Sequence, residues 1–194
     1  MKKTFNIIIT SLALFASHSI MANGFRIKNT PINPACLALI NQSEADMPFI
    51  YALNLNICQT ANATFLGNNQ TTAFKTKSGG VYSYHVIGET KQHLFVIATT
   101  LNSSGSGFFQ DVILLRLKHK KIKRWDNQRH RFVNQHYLAL IYVGSIGGGD
   151  RHTGSYKKLR IQGNHLIGMR DAINNRPIQA TEPAKKVDID LSGL

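Results

Sequence analysis

The sequence predicts a mainly β (or α+β) fold: an antiparallel sandwich or open barrel of six to eight short strands with one or two short N-terminal helices. From Thr71 onward, short runs rich in aromatic and β-branched residues alternate with turn residues, a pattern typical of antiparallel sheets. No long helical pattern separates these runs, which argues against a parallel βαβ fold. A chain of 194 residues with 43% hydrophobic residues is sufficient for one domain with its own core.

The first 22 residues have the layout of a secretory signal peptide. Lys2 and Lys3 form a basic start typical of bacterial signals, residues 5–15 are mostly apolar, and Ala22 ends a segment suited to cleavage. The apolar run is shorter than the about 20 residues of a membrane-spanning helix, and an uncleaved anchor is the alternative. We therefore expect cleavage after residue 22, a single β-rich domain over residues 23–194 with no transmembrane span, and a periplasmic or secreted protein.

Cys36 and Cys58 are the only cysteines in the chain. Export leads to an oxidising compartment, so we expect them to form a disulfide. Closing a loop of about 23 residues contributes roughly 3 kcal/mol to stability by the loop-entropy estimate. Neither cysteine lies in a catalytic signature or at a metal-ligand spacing, so the sequence predicts no cysteine nucleophile and no metal site.

The elements before Thr71 are predicted as follows. Residues 35–42 form a short helix with Cys36, Leu39 and Ile40 on one face, and Pro48 follows its end. The next segment, residues 49–58, is a strand in its second half by the alternation of apolar and Asn residues, or begins as a helix.

The strands after Thr71 are separated by glycine-containing turns. Gly163 and Asn164 form a hairpin turn, and the glycines at 147–149 with Asp150 form another turn. The run 137–146 is apolar on both faces and is expected inside the sheet, and 187–191 is expected at an edge. The predicted strands cover residues 73–77, 81–87, 92–101, 111–118 with a basic continuation to 125, 137–146, 156–162, 165–168 and 187–191.

Positive charge is concentrated in the second half of the chain. The formal net charge is +13; residues 23–110 hold 5 basic and 3 acidic residues, whereas residues 111–194 hold 16 and 7. The densest stretch predicts a basic face that binds an acidic protein, an anionic envelope component or, less favoured, a nucleic acid. The alternative is a hairpin with a solvated basic face and a core tryptophan. The candidate binding residues are Arg116, Lys118, Lys120, Lys121, Lys123, Arg124, Trp125, Arg129 and Arg131.

A second candidate site lies in the glycine-rich segment 147–154. Asp150, Arg151 and His152 place an acid, a cation and a titratable base next to one another. A hydrolase uses such a histidine as a general base and the arginine to stabilise an oxyanion. Consecutive side chains diverge, however, so the alternative is a plain turn in which Asp150 caps backbone N–H groups.

The sequence lacks the signatures of the common enzyme classes. It has no Gly-x-Ser-x-Gly elbow, no phosphate-binding or dinucleotide fingerprint and no metal-spaced histidines. We therefore expect no cofactor and an exported, non-catalytic binding module, inhibitor-like, immunity-like or envelope-binding, that recognises an acidic partner through its basic face. The alternative is a small secreted hydrolase acting on a polyanion through Asp150, Arg151 and His152.

Overall fold

The computed structural model describes residues 24–41, 50–59, 71–76, 79–103, 107–150, 154–172 and 182–194, so the predicted signal peptide, residues 1–22, lies outside the described residues. No helix in these ranges is long and apolar enough to cross a membrane. The described ranges form, in chain order, β1 (Arg26–Ile27), β2 (Thr30–Pro31), α1 (Pro34–Asn41), β3 (Ala52–Asn54), α2 (Leu55–Cys58), β4 (Thr71–Lys75), β5 (Val81–Glu89), β6 (Phe95–Asn102), β7 (Phe108–Asp126), β8 (Arg131–Gly149), β9 (Tyr156–Gln162), β10 (His165–Arg170) and β11 (Lys185–Asp190).

Six strands form one antiparallel sheet in the order β3-β8-β7-β6-β5-β4, which curls into an open half-barrel. From β5 to β8 each strand pairs with the one before it, so that β4 lies at one edge, and β3 pairs with β8 at the other edge. The strands β9 to β11 form a separate three-stranded antiparallel sheet with β11 at its edge. The predicted fold class, a mainly antiparallel β protein with one or two short N-terminal helices, is confirmed, and two helices are present.

The middle strands of the six-stranded sheet are buried on both faces. On one face, Ile113 and Leu115 of β7 pack with residues of α1 and α2; we call this face the helix side. On the other face, Val112 and Leu114 pack against the three-stranded sheet; we call this face the small-sheet side. The continuous apolar runs of β6 and β7 are explained by this burial, because neither face of these segments is exposed to solvent.

Helix α1 begins one residue before the helix predicted at residues 35–42. The Asn33 side-chain oxygen accepts a hydrogen bond from the Ala35 N–H at 2.9 Å, and Pro34 occupies the first helical position, where no N–H is needed. The predicted disulfide is present: Cys36 of α1 is bonded to Cys58 of α2, with their Cα atoms 5.7 Å apart. Both cysteines are buried, so the bond joins the two helices inside the core on the helix side.

The segment for which the sequence left strand and helix open contains both. β3 ends at Asn54, whose side-chain oxygen accepts a hydrogen bond from the Asn56 N–H at 3.0 Å and caps α2. The asparagine that interrupts the apolar alternation is therefore the residue at which the strand becomes a helix.

The glycines at 147–149 do not form the predicted turn. They continue β8 and pair with residues 110–112 of β7. Gly147 has a φ of +78°, a backbone conformation that residues with a Cβ rarely adopt. A Cβ at Gly148 would collide with the backbone oxygen of Gln110. The prediction was wrong because these glycines allow two strands to approach closely, rather than allowing the chain to reverse.

Tyr84 of β5 connects the sheet to the N-terminal segment, and ionisation of its hydroxyl destabilises the fold at alkaline pH. Its buried hydroxyl donates to the carbonyl oxygen of Ile32 at 2.6 Å. Burial, partly offset by a hydrogen bond with Thr72, raises the pKa of Tyr84 from 10.0 to about 12. Because the folded-state pKa is the higher one, this stabilisation is complete below pH 10.0 and is lost as the pH rises to about 12.

We expect the free energy of unfolding to fall by about 2 to 3 kcal/mol across that interval. Urea denaturation followed by far-UV circular dichroism at stepped pH measures this. In Tyr84→Phe, which removes the ionisable hydroxyl, the decline should be shallower over the same interval. Equal declines in the two proteins would show that another group is responsible.

Candidate functional site

Strands β7 and β8 continue far beyond the rest of the sheet as a two-stranded hairpin. β6 pairs with β7 only as far as Leu115, and β3 pairs with β8 only at residues 139–141, whereas the β7–β8 ladder runs on to Asp126. Beyond Lys118 no other described strand pairs with either one. We call residues 118–138 the arm. At about 3.4 Å per residue, its strands extend over about 30 Å.

The turn at the end of the arm is organised by Asp126, the only acidic residue in the arm. Its Oδ1 accepts hydrogen bonds from the N–H groups of Gln128 at 2.9 Å and Arg129 at 3.1 Å. The Arg129 Nε lies 3.8 Å from the other carboxylate oxygen. The carboxylate therefore supports the turn and is positioned to offset little of the charge elsewhere on the arm.

The predicted binding residues lie on both faces of the arm. The β7–β8 register has no irregularity between Leu115 and Asp126, so side chains alternate strictly between the two faces. Lys121, Lys123 and Trp125 lie on the helix side; Lys118, Lys120 and Arg124 lie on the small-sheet side; Arg129 lies in the turn and Arg131 opposite Asp126. The structure thus brings these residues together on one projecting element, although they do not share a single face.

The cations of β7 have no acidic neighbour directly across the arm. All of these side chains are exposed from Lys118 to Trp125. Their partners on β8 are neutral side chains or histidine: Lys118 faces Ala139, Lys120 faces Tyr137, Lys121 faces His136, Lys123 faces Asn134 and Arg124 faces Val133. The usual cross-strand neutralisation by opposite charge is therefore missing along the ladder.

Arg116 differs from the other candidates. It lies at the base of the arm, is half-buried, and its Nη2 donates to the backbone oxygen of Leu194 at 2.5 Å. We therefore assign Arg116 to fixing the segment at Leu194 against the small-sheet side, and we exclude it from the exposed binding surface.

An exposed aromatic pair lies at the tip of the arm. Trp125 is 46% exposed and its cross-strand neighbour Phe132 is 67% exposed. The two ring centroids are 5.2 Å apart with the planes at 72°, an edge-to-face contact worth roughly 0.5–1.5 kcal/mol. Trp125 is therefore not the core residue of the alternative hypothesis. An open depression of about 420 Å³, lined in part by Arg124 and Gln135, lies beside the pair.

Phe132 was missed by the sequence analysis. Placing the turn at residues 127–130 sets Trp125 directly opposite Phe132, and the Asp-Asn-Gln sequence at 126–128 was the signal for that turn.

Asp150, the one described residue of the second candidate site, lies far from the arm. Asp150 follows Gly149, which pairs with Gln110 at the other end of the ladder, roughly 50 Å along the strands from Trp125. Arg151 and His152 lie outside the described residues, so the hydrolase arrangement is not described. Within the described ranges, no group of three His, Cys, Asp or Glu side chains is placed to hold a metal ion.

The arm, its uncompensated charge and its aromatic tip are the features that a functional hypothesis has to explain. Comparison with known proteins adds no other guide, because no family model, no curated protein and no solved structure matches this chain.

Proposed function

We propose that this protein is an exported, non-catalytic module that binds an acidic macromolecule through its arm. One observation carries the proposal. Seven lysines and arginines and a single acid occupy the arm, which projects from the sheet, and the cations of β7 have no acid opposite them. The predicted signal peptide supports export, and a disulfide between buried cysteines is compatible with an oxidising compartment.

Electrostatics explains why such an arm favours an anionic partner. Cations two residues apart on one strand lie about 7 Å apart and repel one another by about 0.6 kcal/mol in water. A polyanion replaces this repulsion with attraction and releases its own bound counterions. An acidic protein and an anionic envelope component both satisfy this requirement, and a nucleic acid does so without a recognised motif.

A purely protective role explains less of the geometry. Basic residues on exposed strands discourage edge-to-edge aggregation, and that role accounts for the lysines. It does not account for an exposed Trp125–Phe132 pair at the tip, because exposed aromatic side chains promote association rather than prevent it.

Neutralising the middle of the arm should weaken binding to a polyanion. The variant carries Lys120→Gln, Lys121→Gln, Lys123→Gln and Arg124→Gln. At an attraction of about 0.5 kcal/mol per screened charge, its affinity for dextran sulfate should fall at least about tenfold at low salt, and the dependence on salt should become shallower. Fluorescence titration of Trp125 at several salt concentrations measures both. The urea midpoint should be unchanged, because all four side chains are exposed.

Two controls separate the arm from the overall charge. A matched variant with Lys75, Lys91, Arg160 and Lys186 changed to Gln removes the same charge from exposed positions outside the arm and should retain most of the affinity. Asp126→Asn keeps an oxygen acceptor for the turn but makes the arm more positive, so it should bind more tightly. Equal losses in the two quadruple variants would reject the arm as the binding site.

A further inference from the structure

We infer that the partner of the arm is an anionic lipid surface, and that Trp125 and Phe132 enter its interfacial layer while the surrounding lysines and arginines contact the headgroups. This inference rests on the proposed function and names its partner. It is drawn from two features of the arm: the chemistry of its tip and the order of its side chains.

The tip carries a side chain, Phe132, that would not contribute binding energy to a complex with a purely polar polyanion. Phe132 cannot form a conventional hydrogen bond and is 67% exposed, so it gains only from an apolar or stacking environment. Trp125 combines an apolar body with an N–H donor, which suits the boundary between lipid headgroups and acyl chains. The two rings already contact each other in the folded protein. They therefore form one apolar unit that loses little side-chain entropy on binding.

The thickness of the arm determines how strongly the cations on each face are attracted to a planar anionic surface. A two-stranded ribbon with its side chains is about 10 Å thick, and the Debye length at physiological salt is about 8 Å. When the helix side rests on the surface, the far face lies beyond one Debye length, so Lys118, Lys120 and Arg124 are largely screened at physiological salt and are attracted mainly at low salt. The cations of the helix side, Lys121 and Lys123, therefore provide most of the electrostatic contact.

The order of side chains along the helix side suits a shallow, tilted contact. From the tip inward, the Trp125–Phe132 rung is followed by Lys123 with Asn134 and then by Lys121 with His136. Aromatic insertion at the end, with cations at the next two rungs, matches a surface that is apolar beneath a layer of anionic headgroups. Long lysine chains extend toward the headgroups while the rings lie deeper.

The chain contains one tryptophan, so the insertion can be read without a label. The experiment uses the protein beginning at Asn23, which contains every described residue, with its disulfide intact. It is titrated with vesicles of phosphatidylcholine alone and with vesicles that also contain phosphatidylglycerol. We expect the Trp125 emission to shift to shorter wavelength with the anionic vesicles only, brominated lipid to quench it, and high salt to reverse the shift.

A pair of phenylalanine variants tests the aromatic tip. Phe132→Ala should weaken binding to anionic vesicles about tenfold, the effect of removing a partly buried aromatic side chain. Phe109→Ala is the matched control: Phe109 lies at the other end of β7 and is 51% exposed, and its removal should leave vesicle binding unchanged. Far-UV circular dichroism checks that both variants are folded.

The outcomes separate this inference from the proposed function. Charge-dependent binding to dextran sulfate, without a Trp125 shift on anionic vesicles, would overturn the lipid surface and leave the binding module intact. Equal binding by Phe132→Ala and Phe109→Ala would overturn the role of the aromatic pair. Binding to duplex DNA with quenching of Trp125, and no shift with vesicles, would assign the rings to base stacking instead. Failure to bind either dextran sulfate or vesicles would reject both proposals.

Discussion

Replacing Leu115 with alanine should lower the free energy of unfolding by about 3 to 5 kcal/mol, a large part of the stability of a domain of this size. Leu115 is fully buried on the helix side, in the cluster that contains Ile113, Leu140 and residues of both helices. It lies in the ladder between Phe95 of β6 and Tyr142 of β8, so the neighbouring backbone cannot readily collapse into the space left behind. Urea denaturation followed by far-UV circular dichroism measures the loss.

The matched control lies on the same strand. Ile122 of β7 is an aliphatic residue in the arm and is 42% exposed, so Ile122→Ala should cost less than about 1 kcal/mol. The contrast tests the division of β7 into a core half and an arm half. Similar losses at the two positions would mean that the arm is packed as tightly as the sheet and does not stand apart from it.

Reducing the disulfide between Cys36 and Cys58 should destabilise the protein by about 3 kcal/mol. The bond closes a loop with a sequence separation of 22 residues, and the unfolded chain gains freedom when that loop opens. Both cysteines are buried and belong to the cluster that holds α1 and α2 to the sheet, so the reduced helices also lose their fixed spacing. The urea midpoint with and without dithiothreitol is the measurement.

A double variant, Cys36→Ala with Cys58→Ala, provides the control for the reductant. Its midpoint should be lowered and should not respond to dithiothreitol. A wild-type midpoint that is the same under oxidising and reducing conditions, with complete reduction shown by thiol titration, would contradict the assigned role of the bond.

Residue signals at the ends of elements predicted some local features of the fold correctly, although the glycines at 147–149 predicted a turn where β8 continues. The strand Tyr156–Gln162 was predicted with both ends correct, and Gly163 and Asn164 explain where it ends. The disulfide followed from two cysteines and the predicted export. The order of strands within the sheets could not be predicted, since alternation shows which residues share a face but not which strand lies beside them.

The arm shows a different limit of sequence reasoning. Residues 118–125 lack the apolar alternation of a half-buried strand, because neither face of the arm is buried by the sheet. Their pairing with β8 relies on backbone hydrogen bonds, which leave no pattern in the side chains. The charge located the candidate site, whereas its division over two faces and the pairing of Trp125 with Phe132 became visible only in the register.

The strict alternation along the arm also limits how its length can change during evolution. Removing one residue from each strand would move every side chain beyond that point to the opposite face, and Trp125 and Phe132 would leave the helix side. Removing one residue from a single strand would create a bulge and bend the ribbon. Variants that keep the aromatic pair on the helix side must therefore lengthen or shorten the arm by two residues per strand, in steps of about 7 Å.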